Sequence, residues 1–167
     1  MKKIITGLLV SLFIIGCSSD NTEPKNIEPS LVVGKTLSTL NLKDQFEKPQ
    51  TISTQTTKLV FAFSKDAAHI CNDFFVAQAP TYLNDNNTQF IADISSAPSL
   101  VRSMFILPSL KDFKYTVILL DDKDSAAPLK AAVDAERIIV VNLDNKKITK
   151  ITTITSKGEL KSLIEAK

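Results

Sequence analysis

Cysteine, histidine and glycine are scarce in this sequence of 167 residues, and each scarcity excludes a class of chemistry. The two cysteines are Cys17 and Cys71, and the one histidine is His69. His69 and Cys71 are the only soft metal ligands of the folded part, too few for a structural zinc site. No Gly-rich phosphate loop or nucleophile elbow is found among only four glycines. We therefore expect no metal and no cofactor.

An excess of charge of one sign is also lacking. The chain has 20 lysines and arginines against 18 acidic residues, and Lys2 and Lys3 lie in the N-terminal segment. Subtracting those two (20 − 2 = 18) leaves 18 basic and 18 acidic residues, which are dispersed. No basic stripe is available for nucleic acid and no polybasic patch for anionic lipid. We expect no nucleic-acid partner.

A hydrophobic run long enough to span a bilayer is absent as well. Residues 4–15 form an apolar segment behind Lys2 and Lys3. Twelve helical residues at ~1.5 Å each cover about 18 Å, less than the roughly 30 Å of the hydrocarbon core. This pattern predicts a signal peptide over residues 1–16.

The end of that segment, Ile14-Ile15-Gly16-Cys17, resembles a bacterial lipobox, with isoleucine in place of the commoner leucine at its first position. The resemblance implies that Cys17 carries fatty acyl chains such as palmitate and becomes the mature N-terminus. The alternative is an ordinary cleaved signal with an incidental cysteine. If Cys17 is acylated, as the resemblance implies, residues 17–30 form a lipidated tether. The protein is then expected to be a lipoprotein of the cell envelope with its domain in the periplasm. Inner and outer membrane both stay open.

Residues 31–167 are long enough for one domain with its own core. Ser156 with Glu159 three residues later indicates a helix N-terminus, and Pro80 should kink or end the helix before it. Six phenylalanines at core-like positions are expected to be packing residues: Phe61, Phe63, Phe74, Phe75, Phe90 and Phe105. Periodicity predicts strands over residues 37–42, 50–53, 58–63, 89–94, 115–120, 137–143 and 148–154, and helices over residues 67–83, 98–107, 128–133 and 155–166.

Apolar strands that alternate with helices predict an α/β fold, a mixed sheet with helices on both faces. The segments TLNLKDQFEKPQTI and IIVVNLDNKKITKITTITSKGELKSLIEA resemble the first hairpin and the final hairpin and helix of the thioredoxin-like superfamily, which includes the peroxiredoxins. The resemblance covers most of residues 31–167 and implies a thioredoxin-like three-layer sandwich.

The motifs of that superfamily are degenerate in this sequence. A thioredoxin needs two cysteines two residues apart, so that one thiolate attacks and the other resolves the mixed disulfide. The window Ala68-His69-Ile70-Cys71 lacks the first cysteine. In the peroxiredoxin pattern P-x-x-x-T-x-x-C, Ser64 replaces the proline and Ala68 replaces the threonine, while Cys71 matches the cysteine that attacks peroxide. Arg137 matches the arginine that stabilises the thiolate in those enzymes.

The candidate catalytic residues are therefore Cys71, Arg137 and His69. A thiol near a helix N-terminus or beside a cation has a lowered pKa, and Cys71 is expected in the first turn or so of its helix. The alternative is that Cys71 is a small buried apolar residue and that His69 is exposed to solvent. Asp121, Asp122 and Asp124 could bind a cation or simply form a solvated loop.

Two main hypotheses follow, and a purely structural lipoprotein is a third alternative. The first is a membrane-anchored lipoprotein whose thioredoxin-like domain is non-catalytic and serves as a binding or accessory module for another envelope protein. The second is a single-cysteine thiol peroxidase or oxidoreductase that uses Cys71 with an external resolving thiol.

Overall fold

The computed structural model describes residues 27–37, 40 and 42–166. The predicted signal peptide, Cys17 and most of the predicted tether lie outside these residues. Within the described ranges no helix is long and apolar enough to cross a membrane.

Seven strands form a single mixed sheet in the order β2-β1-β5-β4-β3-β6-β7. The pairs β3–β4 and β4–β5 are parallel, and the other four pairs are antiparallel. The strands are β1 Leu42–Asp44, β2 Pro49–Gln50, β3 Lys58–Ala62, β4 Thr88–Asp93, β5 Ile118–Leu120, β6 Ile138–Asp144 and β7 Lys147–Ile154.

Six α-helical pieces and one π-helical turn complete the described fold. Between β4 and β5, α3, the π-helical turn and α4 follow one another without a break, and we call this stretch the α3–α4 segment. The pieces are α1 Lys65–Phe75, α2 Tyr82–Asp85, α3 Ser99–Val101, the π-helical turn Arg102–Ile106, α4 Leu107–Lys111, α5 Lys123–Lys130 and α6 Lys157–Glu165.

The order of the strands decides which face each helix covers. The connections from β3 to β4 and from β4 to β5 step in the same direction across the sheet. Right-handed crossovers therefore place α1 and the α3–α4 segment side by side on one face. The return from β5 to β6 runs the other way, and α5 lies on the opposite face. The edge at which β3, β4 and β5 end is called the carboxyl edge below.

Two hydrophobic cores fill the two faces, which confirms the prediction of an α/β sandwich with helices on both sides. The side chains of β3 alternate between them: Val60 and Ala62 pack with the residues under α1 and α6, while Leu59 and Phe61 pack with those under α5. All five residues of β3 are buried, as expected for a central strand.

Local sequence signals predicted several elements correctly. The final hairpin turns at Asn145 and Lys146, whose φ angles of 46° and 68° suit a two-residue turn between twisted strands. Ser156 caps α6, and its hydroxyl accepts from the Glu159 amide at 3.3 Å while it donates to the Glu159 carboxylate at 2.7 Å. This reciprocal contact confirms the predicted capping box.

Other predicted bounds were wrong. The helix predicted over residues 67–83 ends at Phe75, and the separate α2 begins at Tyr82, because the residue before Pro80 disfavours helical backbone. The helix predicted over residues 128–133 instead begins at Lys123, because the Asp122 carboxylate caps it by accepting from the Ser125 amide at 2.8 Å.

The strand predicted over residues 115–120 begins only at Ile118. In its expected first half, the backbone forms hydrogen bonds with a side chain instead of with a neighbouring strand. The buried Gln45 amide group donates to the carbonyl of Tyr115 at 2.9 Å and accepts from the amide of Val117 at 2.9 Å. In the first hairpin, β1 begins at Leu42, and residues 38, 39 and 41 of the strand predicted there lie outside the described residues.

Candidate functional site

Helix α1 carries two of the candidate residues, and its starting point decides where they face. Its N-cap is Ser64, whose hydroxyl accepts from the Ala67 amide at 3.3 Å, and Asp66 lies in the positive first turn. Because the helix begins at Lys65, Cys71 is its seventh residue and belongs to the second turn. Cys71 therefore lies further along the helix than the first turn or so in which it was expected.

Cys71 faces the core. Its exposed fraction is 0%, and it lies on the same buried face of α1 as Ala67, Phe74 and Phe75. Burial raises the pKa of the Cys71 thiol well above its usual range, because the apolar surroundings penalise the thiolate. The thiol is thus held neutral and out of contact with solvent, which is the opposite of the environment that activates a cysteine nucleophile.

The structure does not bring the three candidate catalytic residues together. His69 is exposed. Arg137 is also exposed, and its Nε is 3.7 Å from the carboxylate of Asp134. Arg137 borders a small cleft of about 260 Å³ beside Asp66, and Cys71 does not line this cleft. No hydrogen bond or ion pair within the described part of the chain links Cys71 to either residue.

A larger groove lies between α1 and the α3–α4 segment. Its volume is about 890 Å³, within the range of ligand-binding pockets. The two parallel crossovers produce it, because their helices stand side by side with strands β3 and β4 beneath them. Phe63 and Ile94, which follow these strands, place the groove at the carboxyl edge, where α/β sheets commonly bind ligands.

The walls of the groove are mainly apolar. Ala68 of α1 and Val76, the residue that follows this helix, line one side. The α3–α4 segment lines the other side with Val101, Phe105 and Leu110. Apolar walls of this kind bind by burying hydrophobic surface.

A few polar groups border this apolar surface. His69 and Asn72 of α1 line the groove, and Asn72 accepts a hydrogen bond of 3.0 Å from the hydroxyl of Tyr115. Asp93 also borders the groove, but its carboxylate is buried and bound to Lys130 of α5 at 2.6 Å. An apolar surface bordered by a few polar groups is suited to binding.

The acidic loop after β5 has a structural role. The Asp122 carboxylate accepts from both the amide and the hydroxyl of Ser125, and these hydrogen bonds lower the pKa of Asp122. No cluster of three or more metal-ligating side chains is present in the part of the chain that the structure describes. The Asp122 carboxylate therefore acts as the N-cap of α5.

The α3–α4 segment forms a groove wall that the sequence pattern does not reveal. Phe105 was expected to be a packing residue, but 65% of its surface is exposed. This prediction was wrong because the segment carries apolar residues on all sides, and periodicity alone does not show which side faces the sheet. The other five phenylalanines of that set are buried.

No protein-family description and no curated protein matches this sequence. Solved structures do match its fold. A candidate protein disulfide isomerase from Bacteroides thetaiotaomicron is 18% identical, with a TM-score of 0.53 over 80% of this chain and 86% of that one. The thioredoxin domain of a thiol-disulfide oxidoreductase from Bacteroides vulgatus is 13% identical, with a TM-score of 0.50 over 81% of this chain and 100% of that one. The peroxidoxin BcpB from Mycobacterium tuberculosis is 15% identical, with a TM-score of 0.50 over 79% and 93%.

The fold is thioredoxin-like. Identities of 13–18% establish the architecture and leave the activity to the residues of the site. In this thioredoxin-like domain the N-terminal turn of α1 contains Ser64, Lys65, Asp66 and Ala67, and none of them is a thiol. Cys71 is the free cysteine of the described residues, and it is buried.

Proposed function

We propose that this protein is a bacterial envelope lipoprotein, anchored through Cys17, whose thioredoxin-like domain is a non-catalytic binding or accessory module. The groove between α1 and the α3–α4 segment is its binding site for a partner protein in the envelope. The observation that carries the proposal is the contrast between a buried thiol with a raised pKa and an accessible apolar groove on the same helix. Among the described residues, the domain has a surface that can bind, while its free cysteine does not reach solvent.

The non-catalytic part of the proposal is tested by turnover. The chain from residue 18 to 167 and its Cys71→Ala variant are assayed for peroxide consumption and for disulfide reduction with an external thiol. We expect equal, background rates from both proteins, because Cys71 does not reach solvent in the folded state. Turnover that depends on Cys71 would instead support a single-cysteine peroxidase or oxidoreductase.

The anchor is tested in cells that export the full-length protein. Mass spectrometry of the N-terminal peptide should find acyl chains on Cys17, and the protein should fractionate with membranes. Cys17→Ala should abolish the acylation. An unmodified mature protein in the soluble fraction would indicate an ordinary cleaved signal.

The groove is tested by site-specific cross-linking. A photoreactive side chain at His69, which is exposed and lines the groove, is compared with one at Thr149, which is exposed on β7. We expect an adduct to an envelope protein from position 69 and not from position 149. Val76→Asp, which adds charge to the groove wall, should remove that adduct while the urea midpoint stays unchanged. Equal adducts from both positions, or none, would contradict the groove as the binding site.

A further inference from the structure

Four large apolar side chains are exposed next to one another on the α3–α4 segment. They are Leu100, Val101, Met104 and Phe105, with exposed fractions of 65%, 39%, 58% and 65%, and we call them the apolar ridge. Leu100 with Met104 and Val101 with Phe105 form two pairs four residues apart, so they lie together on one side of the helix. Clustered exposed apolar residues mark a surface that contacts something other than water.

The ridge is nearly free of charge. Arg102 is the one charged residue between Ser99 and Leu110, and its guanidinium donates to the backbone carbonyl of Asp121. The backbone is also unusual here, because the Leu107 amide donates to the Arg102 carbonyl five residues earlier. A widened turn accommodates Pro108, whose ring would otherwise collide with the preceding turn.

The position of the ridge in the fold follows from the topology. The α3–α4 segment starts after β4 reaches the carboxyl edge, and the ridge occupies the first half of the segment. The ridge therefore lies toward the carboxyl edge. The described chain begins at the same edge: Ile27 and Glu28 lie beside Asp124 and Ala127 of α5, which starts where β5 ends.

Few residues separate this edge from the anchor proposed above. Nine residues, 18–26, lie between Cys17 and Ile27. Even fully extended, ten steps of about 3.3–3.6 Å span no more than about 35 Å. A lipid on Cys17 would thus hold the carboxyl edge within about 35 Å of the membrane, at a high effective concentration of phospholipid.

We propose that the apolar ridge inserts into the interfacial layer of the phospholipid bilayer, so that the domain rests on the membrane with the carboxyl edge of its sheet. The proposal rests on the anchoring function proposed above. Val101 and Phe105 also line the groove, so the groove would open beside the membrane surface and its partner would be a protein that reaches that surface. A helix face rich in leucine, methionine and phenylalanine binds this layer by burying apolar area. Because the ridge has no cluster of basic residues, its contact should depend little on salt.

A second copy of the chain is a weaker occupant of the ridge. A large aromatic side chain buries at most about 250 Å². Four side chains that are only partly exposed fall short of the about 800 Å² per partner that a stable interface buries.

The test uses tryptophan as a probe, since the chain contains none. Phe105→Trp places the probe on the ridge. Phe46→Trp is the matched control, because Phe46 is 50% exposed in the β1–β2 turn. The backbone N–H of the neighbouring Gln45 donates to the backbone carbonyl of Val117, which lies at the amino end of β5. The two probes therefore report on opposite edges of the same sheet.

Residues 18–167 of each variant carry an N-terminal hexahistidine tag and are held on phosphatidylcholine–phosphatidylglycerol vesicles that contain nickel-chelating lipid. In the presence of lipids with brominated acyl chains, the Phe105→Trp emission should shift to the blue and lose intensity, and the Phe46→Trp emission should do neither. Adding Leu100→Ser and Met104→Ser to Phe105→Trp should remove the shift and the quenching. Urea midpoints check that all variants fold.

Two outcomes would overturn the proposal. Equal behaviour of the two probes would show that the ridge does not face the bilayer. A blue shift of Phe105→Trp without vesicles, with a mass that rises with protein concentration, would show that a second copy covers the ridge. Because the tag holds the protein whether or not Cys17 is acylated, a failed anchoring assay leaves this result standing, and a failed ridge leaves the anchor standing.

Discussion

Cys71 should react with alkylating reagents only when the domain opens. Its exposed fraction is 0%, and it packs within the larger of the two cores, so labelling requires most of that core to separate. An opening free energy of about 5 kcal/mol, at the low end for a small domain, already slows labelling by about 10³- to 10⁴-fold. The measurement is the labelling rate by mass spectrometry, in buffer and across a urea series.

The raised pKa of Cys71 adds a dependence of stability on pH. The unfolded thiol ionises near about 8.5, while the folded thiol stays neutral to higher pH. The stabilisation is therefore complete below about pH 8.5 and is lost as pH rises above it, by at most about 1.4 kcal/mol per pH unit. Between about pH 8.5 and 10 the wild-type free energy of unfolding should fall by about 2 kcal/mol more than that of Cys71→Ala.

The matched control places a thiol on the exposed side of the same helix. Lys65→Cys in the Cys71→Ala background puts the thiol at the first residue of α1, where it should be labelled at the rate of an unfolded chain or faster. The reasoning would be refuted if Cys71 in the folded protein were labelled as fast as this control. It would also be refuted if wild type and Cys71→Ala lost stability equally above about pH 8.5.

Gln45→Met should lower the free energy of unfolding by about 2–4 kcal/mol, because a buried amide and a buried carbonyl lose their partners. Gln55→Met, at an exposed position, should change it by less than about 0.5 kcal/mol in the same urea titration. Lys146→Gly should raise it by about 0.5–1 kcal/mol, since glycine adopts a positive φ without strain, whereas Lys147→Gly within β7 should lower it. Hydrogen bonds from Ser156 and Thr155 lower the pKa of Glu159. Its contribution to the free energy of unfolding is therefore complete above about pH 4.3 and is lost as pH falls through the lowered pKa. The urea midpoint of Glu159→Gln should respond less to acid than that of wild type. A change in the free energy of unfolding of opposite sign, in the Gln45 and Gln55 pair or in the Lys146 and Lys147 pair, would contradict the role given to that residue. Equal responses of wild type and Glu159→Gln to acid would contradict the role given to Glu159.

The elements predicted well are those whose signals are local. Strand β3 follows from one apolar run, and the final hairpin follows from a polar break between two β-branched runs. The capping box of Ser156 and Glu159 needs only four consecutive residues. In each case the interacting atoms belong to neighbouring residues, so the pattern in the sequence contains the whole interaction.

The features predicted poorly depend on residues far apart in the chain. Tyr115 and Val117 look like strand residues, but the side chain of Gln45, about 70 positions earlier, takes the hydrogen bonds that a strand partner would make. Phe105 looks like a core residue, but the sheet is already covered on that side by other residues of the same segment. Periodicity ranks residues by hydrophobicity and does not show which of several apolar sides meets the core.

By itself, the sequence determined the class of the fold and the position of its central strand, because these depend on residue types and short spacings. Only the tertiary structure decided that Cys71 faces the core, that His69 and Arg137 lie apart from it, and that a groove opens between α1 and the α3–α4 segment. The physical reason is that burial is a property of the assembled layers. A one-residue change in where α1 begins rotates every later side chain by about 100°, and only the packed sheet beneath it selects the side that is buried.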